Sequence, residues 1–271
     1  MAEHPLPGSL APRLLPTLQL AGAWQMAIDR WLLEQGRPAF RLYRWSGPTL
    51  SLGFHQHQLM PHWPSLARQG VIDLVRRPSG GRAVLHAGEL TYALIWPNPG
   101  LARKEAYRRS CAWLQLAFAR LGLPLQFGDQ AVSLERSSCF ATSTAADLVH
   151  PGGLKRIGSA QLWRQGCLLQ HGSILIEPPM ALWQEVFGAP PPALSPLSID
   201  AGTLEHRLLD AAREALPMAL GDFEPLLESE WEQIGGRLAD HHWEVGPSGL
   251  VSTSPLASMV RTTWGSPNPR G

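Results

Sequence analysis

The side chain best suited to chemistry in this sequence is the thiol of Cys139, which lies in a polar segment beside two serines. A loop cysteine can act as a nucleophile when a nearby cation lowers its pKa and favours the thiolate. Cys111 and Cys167 lie in apolar runs, and we expect both to be unreactive core residues. The alternative for Cys139 is an ordinary, partly buried thiol.

A second candidate is Lys155, because lysine is rare in this chain. Of the 23 basic residues only Lys104 and Lys155 are lysines, and Lys155 lies between two glycine-containing turns. Arginine stays protonated, whereas lysine is a compact charge whose pKa its surroundings can tune. A lysine near a thiol favours the thiolate, so we expect Lys155 to assist Cys139. The alternative is that a lysine fell at this position by chance.

The segment RRPSGGR could bind a ligand through its backbone. Gly80 and Gly81 carry no side chain, so a ligand could approach the main chain closely there. Arg76, Arg77 and Arg82 flank the glycines with guanidinium groups that suit a carboxylate or a phosphate. The alternative is a tight turn with solvated arginines.

One histidine also attracts attention. His171 lies in the apolar run LLQHGSILI, where a histidine is more often a hydrogen-bonded core residue than a catalyst. We therefore expect it to be structural or to line a pocket. The 11 tryptophans could build an aromatic ligand pocket, although core packing is the commoner explanation.

The elements that must position these residues can be predicted from periodicity. Apolar residues at helical spacing predict helices over 23–35, ending at Gly36, and over 104–121. Alternating runs predict a β-hairpin of 155–164 and 167–177 across a Gln-Gly turn. Further strands are predicted at 40–45, 49–54, 70–77, 82–86 and 89–96, of which the last three read as a β meander. A long loop with a possible short strand is predicted over 128–153.

The remaining segments set the domain organisation. We predict a flexible N-terminus over 1–12, one catalytic domain over 13–245 and a disordered tail over 246–271. Within the domain, 189–198 reads as a Pro-rich linker, and helices are predicted over 202–239, in 202–216 and 222–239. Helices mixed with hairpins predict an α+β fold, with a mixed β-sheet flanked by helices.

Composition excludes several classes of protein. The chain has 271 residues, 44% hydrophobic and 17% charged, so neither a disordered chain nor a coiled coil is expected. A net charge of +1 gives no reason to expect a nucleic-acid partner, and no apolar stretch is long enough for a membrane helix. The start lacks the order of a signal peptide, so we expect a cytoplasmic protein. Three cysteines without CxxC spacing argue against a disulfide framework and a metal site.

Taken together, RRPSGGRAVLHAGELTY, the Cys-Phe pair, KRIGSAQ and LLQHGSILI resemble the biotin/lipoate protein ligase catalytic family. The resemblance runs from about Trp24 to Val245. Within the family the motifs are most similar to the octanoyl-[acyl-carrier-protein]:protein N-octanoyltransferases of the lipoate-ligase-like branch. The chain departs from the family pattern at Ala87, where the family usually has Asp, and after the Cys-Phe pair.

The resemblance assigns roles to particular residues. It implies that Cys139 is the acyl-thioester nucleophile, and that Lys155 contacts the acyl carbonyl and lowers the thiol pKa. It implies no metal ligand. The positions implied to bind substrate are Arg76, Arg77, Ser79, Gly80, Gly81, Arg82, His86, Gly158, Ser159, Ala160, Gln161, His171 and Gly172.

The resemblance also implies a reaction. Octanoyl would pass from acyl carrier protein to a lysine of a lipoyl domain, in a 2-oxoacid dehydrogenase or in the glycine cleavage H protein, without a cofactor. One alternative is an ATP-dependent lipoate–protein ligase, which would need ATP and Mg²⁺. Two others are an octanoyl amidotransferase acting between lipoyl domains and a non-catalytic homologue that binds acyl carrier protein.

Overall fold

The computed structural model describes residues 11–128 and 147–242, and it divides them into two β-sheets with helices around them. The larger sheet contains β1 (Arg13–Leu14), β2 (Leu18–Leu20), β3 (Ala39–Trp45), β7 (Glu89–Pro97), β8 (Gln126–Phe127), β9 (Asp147–Val149), β10 (Lys155–Arg164) and β11 (Cys167–Leu175). The smaller sheet contains β4 (Thr49–Leu52), β5 (Asp73–Arg76) and β6 (Val84–His86). The helices are α1 (Gly22–Gln35), α2 (Trp63–Arg68), α3 (Arg103–Arg120), α4 (Met180–Phe187), α5 (Ala201–Ala215) and α6 (Glu228–Gly235), followed by a 3₁₀ helix (Leu238–Asp240).

The larger sheet is mixed. Its strands follow the order β1-β3-β7-β11-β10-β9-β8, and β2 also pairs with β3. β1 and β2 run parallel to β3, whereas the other pairings are antiparallel. The predicted α+β class, with a mixed sheet flanked by helices, is therefore confirmed.

Both faces of the larger sheet are covered, which explains the continuous apolar character of its central strands. All nine residues of β11 and the first seven of β7 are buried. On one face Trp113 and Phe118 of α3 pack with Leu208 of α5. On the other face α1 supplies Ile28 and Trp31, and the smaller sheet packs beside α1, with Val75 of β5 in the same cluster. A sheet covered on both sides does not show the polar–apolar alternation of a half-exposed one.

Several predicted elements are confirmed. The helices at 23–35 and 104–121 correspond to α1 and α3, and the pattern in 202–216 corresponds to α5. Gly36 ends α1 with a left-handed φ of 63°. β10 and β11 form the predicted hairpin, and its turn residues Gln165 and Gly166 both have positive φ, as a tight hairpin turn requires.

The predicted β meander is wrong. β4 lies between β5 and β6, and β7 belongs to the other sheet. β5 runs parallel to β4, which requires a crossover, and the chain makes it through α2, a helix that the sequence analysis did not predict. β7 is buried on both faces, so the centre of the larger sheet is its stable place.

One C-terminal prediction needs correction. Of the segment 222–239, only α6 and the 3₁₀ helix are helical. Phe223 instead pairs with Leu14, and the Glu224 N–H donates to the Leu14 carbonyl at 2.7 Å. The predicted linker 189–198 has no helix or strand, but it is tied to the domain because the Arg156 guanidinium donates to the Ser195 carbonyl at 2.7 Å. Most of the predicted N-terminus and the whole predicted tail lie outside the described residues.

Candidate active site

A cavity of about 70 Å³ lies between the smaller sheet and the β7–β11–β10 part of the larger sheet. Nine of the thirteen positions predicted to bind substrate line it: Arg77, Gly80, Gly81, His86, Gly158, Ser159, Ala160, His171 and Gly172. Residues that the sequence analysis did not single out complete the wall, including Met26, Tyr43, Ser51, Thr91 and Ser173. The structure thus brings together motifs that are far apart in the sequence.

One glycine of the hairpin, Gly172, is tightly packed against its neighbours on the adjacent strands. A Cβ atom at Gly172 would lie 2.5 Å from the Ser159 hydroxyl oxygen and 2.6 Å from the Tyr92 ring. Neither distance is possible in a packed structure, so a side chain here would displace the Ser159–Tyr92 hydrogen bond of 2.8 Å. The glycine therefore lets β11 lie close to Ser159 and Tyr92 on the face of the sheet that α3 covers.

The glycine turn forms the opposite wall. Gly81 has a φ of +98°, a conformation that L side chains rarely adopt, whereas a Cβ at Gly80 would meet no atom within 4 Å. Arg77 is buried and donates to the carbonyls of Ser51 (2.9 Å), Gly80 (2.8 Å) and Arg82 (2.6 Å). The Arg77 side chain thus holds the shape of the turn.

Behind the turn a buried chain of hydrogen bonds links Ser79, His171 and Asp29. His171 Nδ1 lies 2.8 Å from an Asp29 oxygen, and its Nε2 lies 2.5 Å from the Ser79 hydroxyl. The carboxylate can only accept, so Nδ1 carries a proton and donates to it, and Nε2 shares a hydrogen bond with the Ser79 hydroxyl. Burial opposes ionisation of Asp29, but Arg41 and His171 outweigh it and lower the pKa of the carboxyl. These hydrogen bonds therefore anchor the glycine turn to α1.

A second buried chain links Ser51, His86 and Glu89. His86 Nε2 lies 2.7 Å from the Ser51 hydroxyl, and its Nδ1 lies 2.6 Å from Glu89. The same Glu89 oxygen accepts a hydrogen bond from Thr91, whose hydroxyl also accepts from the Trp45 indole N–H at 2.8 Å. The Trp45 ring stacks on the His86 ring with centroids 3.8 Å apart. Both cavity histidines are therefore fixed in orientation.

Lys155 begins β10 and forms a buried ion pair with Asp147 of β9. Its Nζ lies 2.8 Å from the Asp147 carboxylate, and the two side chains are 3% and 5% exposed. Pairing of β10 with β9 brings the two residues together. A buried cation is therefore held at the β9–β10 side of the floor.

One row of cross-strand neighbours crosses the floor towards that ion pair. Thr91, Ser173, Gly158 and Asp147 pair in this order on four adjacent strands, so they share one face of the sheet. Gly158 leaves a gap in the row. Ser173 is 2% exposed, and its hydroxyl has no hydrogen-bond partner among the described residues. A polar group bound over Gly158 could accept a hydrogen bond from Ser173.

The remaining predicted substrate-binding positions lie around this cavity. Ser79 is the buried anchor described above. Arg76 donates to the carbonyls of Gly53, Phe54 and Gln56 at 2.8–3.1 Å. Arg82 is partly buried, and its carbonyl accepts from Arg77.

Gln161 is the last of these positions. Its amide nitrogen donates to Gln170 at 2.8 Å, and its oxygen accepts from the indole of Trp163 at 3.1 Å. Its polar atoms are thus used within the hairpin.

The two cysteines that the structure describes, Cys111 and Cys167, are buried as expected. Burial raises the pKa of Cys111 to about 12 and that of Cys167 to about 11, so both remain protonated thiols. Both are core residues. Cys139 lies outside the described residues.

Sequence reasoning missed the acidic members of this site. Asp29 is on α1, Glu89 begins β7 and Asp147 begins β9. A usable signal existed for Asp147, since Asp-Leu-Val precedes the glycine turn and has the alternation of a short strand. Asp29 is an acidic residue on the otherwise apolar face of a helix, which indicates a buried ion pair.

The sequence of this chain is similar to those of known proteins. The model of the lipoyl protein ligase A/B catalytic domain family matches residues 21–194, more than half of the chain. A protein of Symbiobacterium thermophilum named Octanoyltransferase LipM is 37% identical over 179 residues, which cover 61% of this chain and 65% of that protein. Its namesake in Carboxydothermus hydrogenoformans is 38% identical over 176 residues, with 61% and 65% covered. This chain thus spans slightly less than two thirds of these relatives.

Solved structures support the fold. The crystal structure of lipoate-protein ligase A bound with ATP superimposes with a TM-score of 0.69, at 19% identity, over 85% of this chain and 95% of that one. At this identity the likeness concerns the fold alone. None of the described helices has both the length and the apolar character to cross a bilayer.

Proposed function

Because this chain belongs to the lipoyl protein ligase A/B catalytic domain family, we propose that it is an octanoyltransferase of lipoate assembly. It moves octanoyl from acyl carrier protein to a lysine of a lipoyl domain through a thioester on Cys139. The acceptors are lipoyl domains of 2-oxoacid dehydrogenases or of the glycine cleavage H protein, and the reaction takes place in the cytoplasm. Relatives named Octanoyltransferase LipM support the choice of acyl group.

The observation that carries the proposal is the buried pair of Lys155 and Asp147 beside the cavity floor. A cation held in a low-dielectric setting favours a nearby thiolate and a developing oxyanion. Asp147 fixes the position of the ammonium group. Lysine suits the stabilisation of both the thiolate and the oxyanion because its charge is compact.

The transfer has two steps. In the first, the Cys139 thiolate attacks the donor carbonyl, a new C–S bond forms, and the carrier thiolate leaves. In the second, the acceptor lysine amine attacks the enzyme thioester, a C–N bond forms, and the Cys139 thiolate leaves. The carbonyl lies over Gly158, where Lys155 and the Ser173 hydroxyl stabilise its negative charge; this hydroxyl has no hydrogen-bond partner within residues 11–128 and 147–242.

No ATP or metal is needed for this chemistry, because a thioester is already an activated acyl group and an amide is the more stable product. The chain's arginines around the cavity suit acidic protein partners, and nothing in the proposal calls for nucleic acid or a membrane.

The test is transfer without ATP. The purified protein is incubated with octanoyl-acyl carrier protein and an apo lipoyl domain, and intact mass spectrometry follows the acyl group on all three proteins. We expect one octanoyl mass on the enzyme and then on the lipoyl domain. Use of free octanoate with ATP, but not of the thioester, would instead identify a lipoate–protein ligase.

The same assay, run also with an octanoylated lipoyl domain as donor, distinguishes the two remaining alternatives. If an octanoylated lipoyl domain serves as donor and acyl carrier protein does not, the enzyme is an amidotransferase between lipoyl domains. If acyl carrier protein binds but no acyl group leaves it, the chain is a binding protein without turnover.

A further inference from the structure

A second cavity lies on the other side of His86. It measures about 300 Å³, and its lining includes Arg44, Trp45, His86 and Glu89. Among the described residues, His86 is the only one that lines both cavities. The imidazole of His86 and the indole stacked on it therefore separate the smaller cavity from a larger space.

The partition between the cavities is rigid. The Trp45 and His86 rings are tilted by only 18° and their centroids are 3.8 Å apart. Trp45 is fixed by its hydrogen bond to Thr91, and His86 is fixed on both nitrogens by Ser51 and Glu89. Each ring is thus held by a neighbour other than the ring stacked on it.

The partition lies at the end of the smaller cavity that is remote from Lys155. Trp45 is on β3 and Lys155 is on β10, with β7 and β11 between them. Three strand spacings of about 4.8 Å place the two main chains roughly 14 Å apart. An acyl chain whose carbonyl lies over Gly158 of β10 therefore extends across β11 and β7 towards His86.

We propose, resting on the function proposed above, that the Trp45–His86 stack is the stop that sets the maximum length of the acyl chain. The methyl end of octanoyl reaches the stack, and longer chains meet two packed rings. The space beyond the stack makes this a removable barrier. Without the Trp45 indole, the His86 imidazole alone separates the two cavities, and a longer acyl chain can push it into the vacated space and enter the larger cavity.

The test is a competition among acyl chains for the enzyme thiol. Hexanoyl-, octanoyl-, decanoyl- and dodecanoyl-acyl carrier protein are mixed in equal amounts, and intact mass spectrometry measures which adducts form first. The parent should select octanoyl. Trp45→Ala should lower its preference for octanoyl over dodecanoyl by at least ~10-fold, since each methylene in a closed hydrophobic pocket is worth ~10–200-fold in selectivity.

Two further variants control for general damage. Trp45→Phe keeps an aromatic ring on His86 and should retain the parent profile. Trp24→Ala removes an indole that packs against Trp231 and is not part of either cavity lining, and it too should retain the profile.

A variant expected to shorten the preferred acyl chain keeps the proposal testable if Trp45→Ala does not fold. Val84 lines the smaller cavity two residues before His86, so Val84→Phe should shorten the cavity and favour hexanoyl. A parent that forms no adduct at all would contradict the proposed function. A parent that forms the octanoyl adduct, with an unchanged profile in folded Trp45→Ala or Val84→Phe, would overturn the stop.

Discussion

Replacing Asp29 by Asn tests how strongly the buried carboxylate holds the cavity wall. Asp29 is fully buried and accepts hydrogen bonds from Arg41 (2.6 and 2.9 Å), Tyr43 (3.1 Å) and His171 (2.8 Å). Asparagine has one acceptor oxygen, and its amide nitrogen would face donors instead. The substitution therefore leaves at least one buried donor without an acceptor.

The size of the effect follows from the ion pair. Removing one partner of a buried pair costs about 3–5 kcal/mol, because the remaining charge stays buried. Both oxygens of Gln25 also accept from Arg41, each at 2.7 Å, which places the expected loss near the lower end, at ~3 kcal/mol. Domains have about 5–15 kcal/mol of stability, so the variant should still fold.

The assay is urea unfolding at neutral pH, followed by tryptophan fluorescence. Asp29→Asn should lose ~3 kcal/mol, and adding Arg41→Met should restore part of it, because the unpaired charge is then gone. A loss below ~1 kcal/mol for the single variant would refute the reasoning, because the carboxylate would then not be compensating Arg41.

The pH dependence of the free energy of unfolding is an independent test of the role of Asp29. The pKa of Asp29 is lowered in the folded protein from the ordinary value of 3.8, so its stabilisation is fully present above 3.8 and is lost as pH falls through the folded value. The stability difference between parent and Asp29→Asn should therefore be constant from neutral pH to about 5 and shrink below 3.8. A difference that grows on acidification would contradict the assignment.

Three other predictions concern the acylation step. Gly80→Val should block formation of the acyl-enzyme in a folded protein, because the side chain enters the cavity. The control Gly221→Val, also in open space, should not block it, and equal acylation of the two variants by intact mass would show that the turn is only structural. Ser173→Ala should slow acylation by ~100-fold with little change in KM for the donor. Ser110→Ala, which removes a buried hydroxyl from α3, should leave the rate of acylation unchanged, and stopped-flow measurements of both variants test this difference. Lys155→Arg should raise the pH midpoint of iodoacetamide alkylation of the reactive thiol, and an unchanged midpoint with unchanged turnover would make Lys155 a bystander.

Much of the site could be predicted because its motifs are local. The glycine turn and the β10–β11 hairpin are each continuous in sequence, and eight of the positions chosen from them line the cavity, together with His86 of β6. Gly80 could be identified because a glycine in a turn lets a ligand approach the main chain closely, whereas Gly172 was implied only by the family resemblance. The hairpin was predictable because its turn and its alternation agree.

The acidic partners and the strand order could not be predicted in the same way. Asp29 and His171 are 142 residues apart, and nothing in a helical stripe names the histidine that it will contact. The β meander was wrong because strand pairing is decided by burial across the whole domain, and β7 is buried between β3 and β11 in the larger sheet. The small helix α2 has too few residues for periodicity to reveal it.

The central claim is that octanoyl passes through the thiol of Cys139, assisted by Lys155, without ATP. The most direct measurement is peptide mapping by mass spectrometry after mixing the enzyme with octanoyl-acyl carrier protein alone, followed by addition of an apo lipoyl domain. The account predicts one hydroxylamine-sensitive octanoyl group on Cys139, absent from Cys139→Ala, that disappears as the lipoyl domain gains the same mass. An octanoylated lipoyl domain formed equally well by Cys139→Ala, or formed only when free octanoate and ATP are supplied, would contradict it.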